Sequence, residues 1–392
     1  MFVGITNTPR DYAWGPAGEI SALLGTEPTG KPEAELWLGA HPGNPSVIVD
    51  PTQTDGATDL NEWIQQDAAR ILGDGHSRLP FLLKVLAAGA PLSLQAHPNP
   101  EQAVEGFARE NAEGIPLTAG QRNYKDASAK PELIVAVSDT FEALCGFRSM
   151  ADTRASIERL AELDAATAKP RPALFDEWLA FARDDTDMRA MFEWLISAGD
   201  PVPELVQLVS ALADDAGEEF ALVRTLAGLY PGDAGVLIAL MLNHVTLGKG
   251  EALFLAAGNI HAYLRGLGIE LMASSDNVLR GGLTPKHVDV PELLSVLDFS
   301  ASPVPYLPAR VLGPTAQVFQ PPVRDFQLLV LTGDQTVDLI GAAIAVCVDG
   351  DFTLDGEENA TVLKRGEATF ITEHERRVRF RGEGTLYVAT IQ

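Results

Sequence analysis

Four residues in three separated segments could share one divalent cation. Ser93-Leu94-Gln95-Ala96-His97-Pro98 reads as a short β-strand. Side chains alternate along a strand, so Gln95 and His97 face the same way. One offers an amide oxygen and the other an imidazole nitrogen. Lys130-Pro131-Glu132-Leu133-Ile134-Val135 adds a carboxylate at Glu132, and Ala257-Gly258-Asn259-Ile260-His261-Ala262-Tyr263 adds a second imidazole at His261. Such ligands with one open position suit a catalytic zinc. With a single anionic ligand the centre stays net positive, able to anchor or polarise hydroxyl and carbonyl oxygens. Ligand type leaves manganese, iron and cobalt open, and a histidine on a strand serves equally as a hydrogen-bonded core residue.

A second chemical stretch follows. Residues 269–286 mix apolar strand residues with Glu270, Asp276, Arg280 and Lys286, and Gly281 and Gly282 let the backbone pass close to something. On local grounds Arg280 either faces a ligand or closes a turn as an ion pair with Asp276. Glu270, flanked by Ile269 and Leu271, is a candidate for a raised pKa or for an ion pair with a nearby base.

These residues need a scaffold. Pro80-Phe81-Leu82-Leu83-Lys84-Val85-Leu86 is an apolar run with one lysine and predicts a buried strand. Residues 1 to about 97 read as β-rich, with a short strand at 46–50 and a helix from Leu60 to Leu72. Asn99-Pro100-Glu101-Gln102 carries an N-cap, a proline at the first helical position and a capping-box glutamine, so a helix starts there. Leu133 to Val137 is a further buried strand. Residues 150–244 change to helical spacing (Ile157, Leu160, Leu163; Leu174, Trp178, Phe181; Met191, Trp194, Leu195), broken by prolines, and predict five or six helices. That segment contains almost no histidine and is assigned no chemistry. From Val323, short alternating segments with Gly turns predict a sandwich or barrel. Gly250-Glu251-Ala252-Leu253-Phe254 is echoed as Gly366-Glu367-Ala368-Thr369-Phe370, an offset of 116 residues that would place Arg377 opposite His261.

Composition bounds the rest. The 392 residues imply two or three domains. No run of apolar residues is long enough to span a membrane, and the first residues lack a basic-then-apolar signal pattern. Cys145 and Cys347 sit in apolar contexts as reduced thiols, so a cytosolic location is expected. The net charge of −25 disfavours nucleic acid and anionic membrane as partners. An anionic substrate therefore needs local cations, and Lys84, Lys130 and Lys286 are candidates; Lys84, in an apolar strand, suits a buried ion pair equally well. No surface heptad suggests self-association, and a monomer is expected.

At this point the motifs resemble a family, the type I mannose-6-phosphate isomerases (phosphomannose isomerases). They are Tyr12-Ala13-Trp14-Gly15, the run from Ala34 to Pro42, Leu92 to Pro98, Asn123-Tyr124-Lys125-Asp126 with Lys130-Pro131-Glu132, Phe141 to Arg148, Gly258 to Leu264, and Ser275 to Lys286. They occur in the family's order as far as about residue 290. The resemblance implies a zinc-dependent aldose–ketose isomerase acting on a sugar phosphate through a cis-enediol. It implies a cupin (jelly-roll) catalytic core; with the helical spacing and the echo above, the expected fold is mainly β with that core, an all-α insertion and a degenerate second jelly roll. The expected division is 1–149 with 245–322 for the catalytic cupin, 150–244 for the helical insertion and 323–392 for the C-terminal β domain. It carries the zinc ligands onto Gln95, His97, Glu132 and His261 and the arginine usually called catalytic onto Arg280. Glu270 is the first choice of proton carrier, with Lys130 beside it in the catalytic group. Lys84, Lys286, Tyr263 and Asp276 are the expected substrate contacts, while Glu35, Trp37 and His41 read as structural. Ala129 stands where many relatives have a histidine before Lys-Pro-Glu, so no role is carried to that position. Two other readings stay open: an iron or manganese cupin dioxygenase, which usually has more histidines in its site, and a non-catalytic sugar-binding cupin.

Overall fold

The computed structural model describes residues 1–392. Two large antiparallel sheets and a helical insertion make up the fold. The sheet that carries the site is built on the 13-residue strand His261–Ala273. Phe81–Ala88, Gln95–Ala96, Glu132–Ala136 and Thr140–Phe147 all pair with it. Glu35–Leu38 extends it beyond Phe81–Ala88, and Leu279–Arg280 extends it beyond Gln95–Ala96.

Alternation then sorts the side chains. Leu82, Lys84 and Leu86 point into a cavity, as do Glu35, Trp37, Glu270 and Met272. Their neighbours Leu83, Val85, Leu36, Ile269 and Leu271 point the other way and pack with Ile344, Val346, Leu328 and Ala389 of the second sheet. The period-2 pattern of the strands thus separates a polar interior from the interface between the sheets.

The second sheet has ten strands, with Arg377–Thr390 and Ala343–Asp355 at its centre. Its own interior is filled by apolar side chains, among them Phe352, Phe380, Leu354 and Leu386. Phe2–Thr6 pairs with Ala368–Ile371 and, with Val47–Ile48 beyond it, belongs to this sheet, although the sequence grouped it with the catalytic segment. Arg377–Thr390 is one strand where the sequence suggested two, because Gly382 and Gly384 bend through φ of 156° and 137° without ending the pairing.

The offset echo extends much further than five residues. His261–Ala273 and Arg377–Thr390 begin 116 residues apart, and Arg265-Gly266-Leu267-Gly268 matches Arg381-Gly382-Glu383-Gly384 at that spacing. The position matching Glu270 is Leu386, which is fully buried in the apolar interior. At matching positions one strand thus faces a charged cavity and the other an apolar interior.

Six α-helices between Met150 and Ile238 form the insertion. Trp178, Phe192, Leu205 and Val209 anchor its core, which continues without a break onto Leu94, Ala96, Ala262, Leu279 and Leu283. The helices therefore back the strands that carry Gln95, His261 and Arg280. The capping box at Asn99 and Gln102 is present and starts Pro100–Ala112. The predicted helix over 60–72 is two helices, Leu60–Gln66 and Ala68–Leu72; Asp67 breaks the run and caps the second by accepting from the Arg70 amide. Both cysteines are buried and free. No helix is long and apolar enough to cross a membrane.

Candidate metal centre and cavity

Strand register sets the site. Gln95 lies directly across from His261 on one side and from Arg280 on the other. Lys84 lies across from Glu270 on one side and from Trp37 on the other. Side chains directly opposite share a face, and Gln95 and Arg280 from one row and Trp37, Lys84 and Glu270 from the other line one cavity of about 1330 Å³.

His97, Glu132 and His261 are buried, with one donor atom each within 4.8 Å of the others. The His97 Nδ1–H donates to the Asn277 carbonyl at 2.7 Å, and the His261 Nδ1–H donates to the Asn259 carbonyl at 3.0 Å. Both Nε2 lone pairs therefore point inward, each 3.3 Å from a Glu132 oxygen. Acceptors facing acceptors at that distance in a dry site need a cation between them. His97 Nε2 and Glu132 Oε2 have no hydrogen-bond partner in the protein. Ligands on a tetrahedral zinc are separated by about 3.3 Å when bonds are about 2.0–2.1 Å long, so the donor set fits that ion. The Gln95 amide is 3.3 Å from His261 Nε2, and a half-turn of its amide directs the oxygen to the same point.

Charge around this point is finely opposed. Burial works against the Glu132 carboxylate, but Lys130 Nζ at 3.0 Å opposes it, and its pKa is held well below the usual range. Lys84 Nζ lies 2.8 Å from Glu270 Oε2 and 3.7 Å from Glu35 Oε1, above the Trp37 ring. Burial disfavours the Lys84 ammonium, yet these carboxylates overcome it and raise its pKa. Burial raises the Glu270 pKa, with Lys84 opposing and Glu132 and Glu35 reinforcing the shift. Three buried carboxylates against two buried ammonium groups leave one negative charge, which a divalent cation turns into one positive.

Burial, reinforced by Lys130, lowers the His97 pKa to about 4. The unfolded chain takes up that proton near the ordinary histidine value of about 6.5. A depressed folded-state pKa means that the contribution is fully present above about 6.5 and is lost as pH falls toward about 4. Urea unfolding of chelated protein should therefore show stability falling by up to about 3 kcal/mol across that window.

Asn277 is fully buried and was not singled out in the sequence. Its Oδ1 accepts from the Lys125 and Asp126 amides, and its Nδ2 donates to the Asp126 and Ser128 carbonyls. The same residue's carbonyl orients His97. Outer partners of this kind tune metal affinity by roughly 10–100-fold. Asn277→Ala is expected to weaken zinc binding by that factor in a chelator competition.

The remaining expected site residues fall as follows. Arg280 lines the cavity with no carboxylate in reach, and partial burial lowers its pKa. Asp276, its expected local partner, instead lies 3.3 Å from His41 Nε2. The Tyr263 hydroxyl is buried without a hydrogen-bond partner. Lys286 is exposed at the cavity rim. Lys84 is enclosed by Glu270, Glu35 and Trp37, so it is not available to anchor a phosphate. Glu35 and Trp37, read as structural, line the same cavity; the Trp37 Nε1–H donates to Glu35 at 2.7 Å. A charged residue inside the apolar run 34–38 was the one signal for Glu35.

Comparison with known proteins places this arrangement. The family model for the phosphomannose isomerase type I catalytic domain matches residues 2–150, and that for the mannose-6-phosphate isomerase cupin domain matches residues 323–391. Mannose-6-phosphate isomerase of Escherichia coli (strain K12) is 38% identical over 393 residues, covering 97% of each chain. The Homo sapiens protein of that name is 33% identical over 93% of this chain and 92% of its own. The apo crystal structure from Salmonella typhimurium superposes with a TM-score of 0.87 at 34% identity, covering 100% of this chain and 99% of that one. A zinc-bound mannose 6-phosphate isomerase structure gives the same values.

Proposed function

This chain belongs to the type I phosphomannose isomerase family, and we infer on that footing that it is a zinc-dependent isomerase interconverting mannose 6-phosphate and fructose 6-phosphate. One observation carries the reading. Glu132, one of three convergent cation ligands, lines a single cavity together with Gln95, a Lys84–Glu270 pair and an unpaired Arg280.

Aldose–ketose exchange removes a proton from C2, passes through a cis-enediol and delivers a proton to C1. Zinc held by His97, His261, Glu132 and the Gln95 amide oxygen supplies Lewis-acid polarisation of the substrate oxygens. Glu270 is our proton carrier: its carboxylate takes the C2 proton, and the raised pKa lets it hold that proton until it passes to C1. Lys84 remains an ammonium and orients that carboxylate. Lys130 does the same for Glu132 and keeps it ionised. Arg280, with no carboxylate to neutralise it, stabilises negative charge developing on O1 and O2. Tyr263 offers its free hydroxyl to a sugar hydroxyl, and Asp276 with His41 borders the entrance. Lys286 meets the phosphate, a local cation in a chain of net charge −25. That charge also fits a monomer that avoids nucleic acid and anionic membrane, and the two free buried cysteines fit a cytosolic location.

The direct test supplies mannose 6-phosphate to purified, zinc-loaded protein and follows fructose 6-phosphate through coupled enzymes. Steady formation is expected. A folded, zinc-loaded sample with no turnover would overturn the substrate assignment.

A further inference from the structure

The helical insertion reaches the active site through one carboxylate. Asp233 lies between the helices Ala221–Leu229 and Gly235–Ile238. Its Oδ1 accepts from the Gly235 amide at 2.7 Å and from the Leu283 amide at 3.1 Å, and its Oδ2 accepts from the Thr284 amide at 3.1 Å. Two of these three donors belong to the segment that leaves Arg280.

That segment needs holding. Gly282 has φ of 116° and Leu283 has φ of 53°, a left-handed conformation that a leucine adopts only when its surroundings impose it. A Cβ on Gly282 would lie 3.0 Å from the Gly235 Cα, and one on Gly235 would lie 2.7 Å from the Leu283 amide nitrogen. The two backbones are thus in direct contact, with glycine on both sides of the junction. On the other side, the Gly281 amide donates to the Leu94 carbonyl and the Leu94 amide donates to the Gly282 carbonyl, beside the Gln95–Arg280 pairing. Tyr230, in the same turn as Asp233, donates its hydroxyl to the Pro91 carbonyl at 2.7 Å. The insertion therefore grips the segments next to both strands that meet at Arg280, the one before Gln95 through Tyr230 and the one after Arg280 through Asp233.

We infer that Asp233 is a positioning residue for the isomerase reaction: by fixing the Leu283–Thr284 backbone it aims the Arg280 guanidinium into the cavity. Arg280 has no carboxylate of its own to set its direction, so its aim comes from its backbone. The inference rests on the reading of Arg280 as the group that stabilises the developing charge. It gives the helical segment, to which the sequence assigned no chemistry, a part in turnover.

A double-mutant cycle tests it, using full-length zinc-loaded protein and mannose 6-phosphate as substrate. Asp233→Asn keeps the shape but turns an amide N–H toward a backbone N–H. Misplacing a catalytic group by about 1 Å can cost up to about 100-fold, and Asp233→Asn is expected to lower kcat by roughly 10-fold or more. KM and zinc content should change little. In an Arg280→Gln background the same substitution is expected to change kcat by less than about 2-fold, because the group it aims is gone. Equal losses in both backgrounds, or full activity in Asp233→Asn while Arg280→Gln is crippled, would overturn the inference and leave the Arg280 reading standing. Full activity in Arg280→Gln would remove both. If Asp233→Asn does not accumulate as folded protein, Asp233→Ser takes its place in the cycle.

Discussion

His261→Ala protein is expected to retain less than about a tenth of the parent's zinc and to turn over mannose 6-phosphate at least roughly 1000-fold more slowly. His261 opens the strand on which the site sheet is built, and Gln95 lies directly across from it. Its Nδ1–H is held by the Asn259 carbonyl, so Nε2 is committed to the point where Glu132 and His97 converge. Removing it leaves one imidazole and one carboxylate with the weak Gln95 amide. No other histidine or carboxylate joins the cluster. The strand itself is retained through its pairing with Thr140–Phe147 and Phe81–Ala88, so the protein should remain folded. Zinc stoichiometry and coupled turnover on the same preparation check the two halves of the expectation. Parental zinc content in this variant would remove His261 from the ligand set.

Glu270→Gln is expected to keep its zinc and lose roughly 10²–10⁴-fold in kcat, with KM changed little. The amide preserves shape and volume but can neither take up nor release the proton. Glu270 sits one strand row from the metal cluster and is not a member of it, so the metal should stay. Glutamine also keeps an oxygen for the Lys84 ammonium. Glu270→Ala would leave that buried charge with only Glu35, 3.7 Å away, and should add about 3–5 kcal/mol of destabilisation. The contrast between the two variants separates proton transfer from structural support. Full kcat in Glu270→Gln would move the proton to another group.

Much of this was legible in the chain because period-2 alternation and ligand chemistry are local. Gln95 and His97 are legible as donors two residues apart, although the strand covers only Gln95–Ala96 and His97 lies just past its end. The capping box at Asn99 likewise resolves from four residues. What was hidden depends on register and distant pairing. Nothing near Lys84 announces that Glu270 will lie directly across from it, and that pairing turned a candidate phosphate contact into a buried ion pair. Glu35 joins the same cluster for the same reason. Phe2–Thr6 pairs on one side with Ala368–Ile371, more than 360 residues away, a pairing that no local pattern encodes. Asn277 and Asp233 act through backbone amides and carbonyls, groups that every residue carries, so their partners are invisible in a string of side chains. The glycines on both sides of the Asp233 junction were visible, but only the fold shows that they touch.

The most direct measurement is mannose 6-phosphate turnover by one preparation as purified, after exhaustive chelation, and after stoichiometric zinc is restored. The account predicts loss of turnover on chelation and recovery with about one zinc per chain. Undiminished turnover by folded, metal-free protein would contradict it.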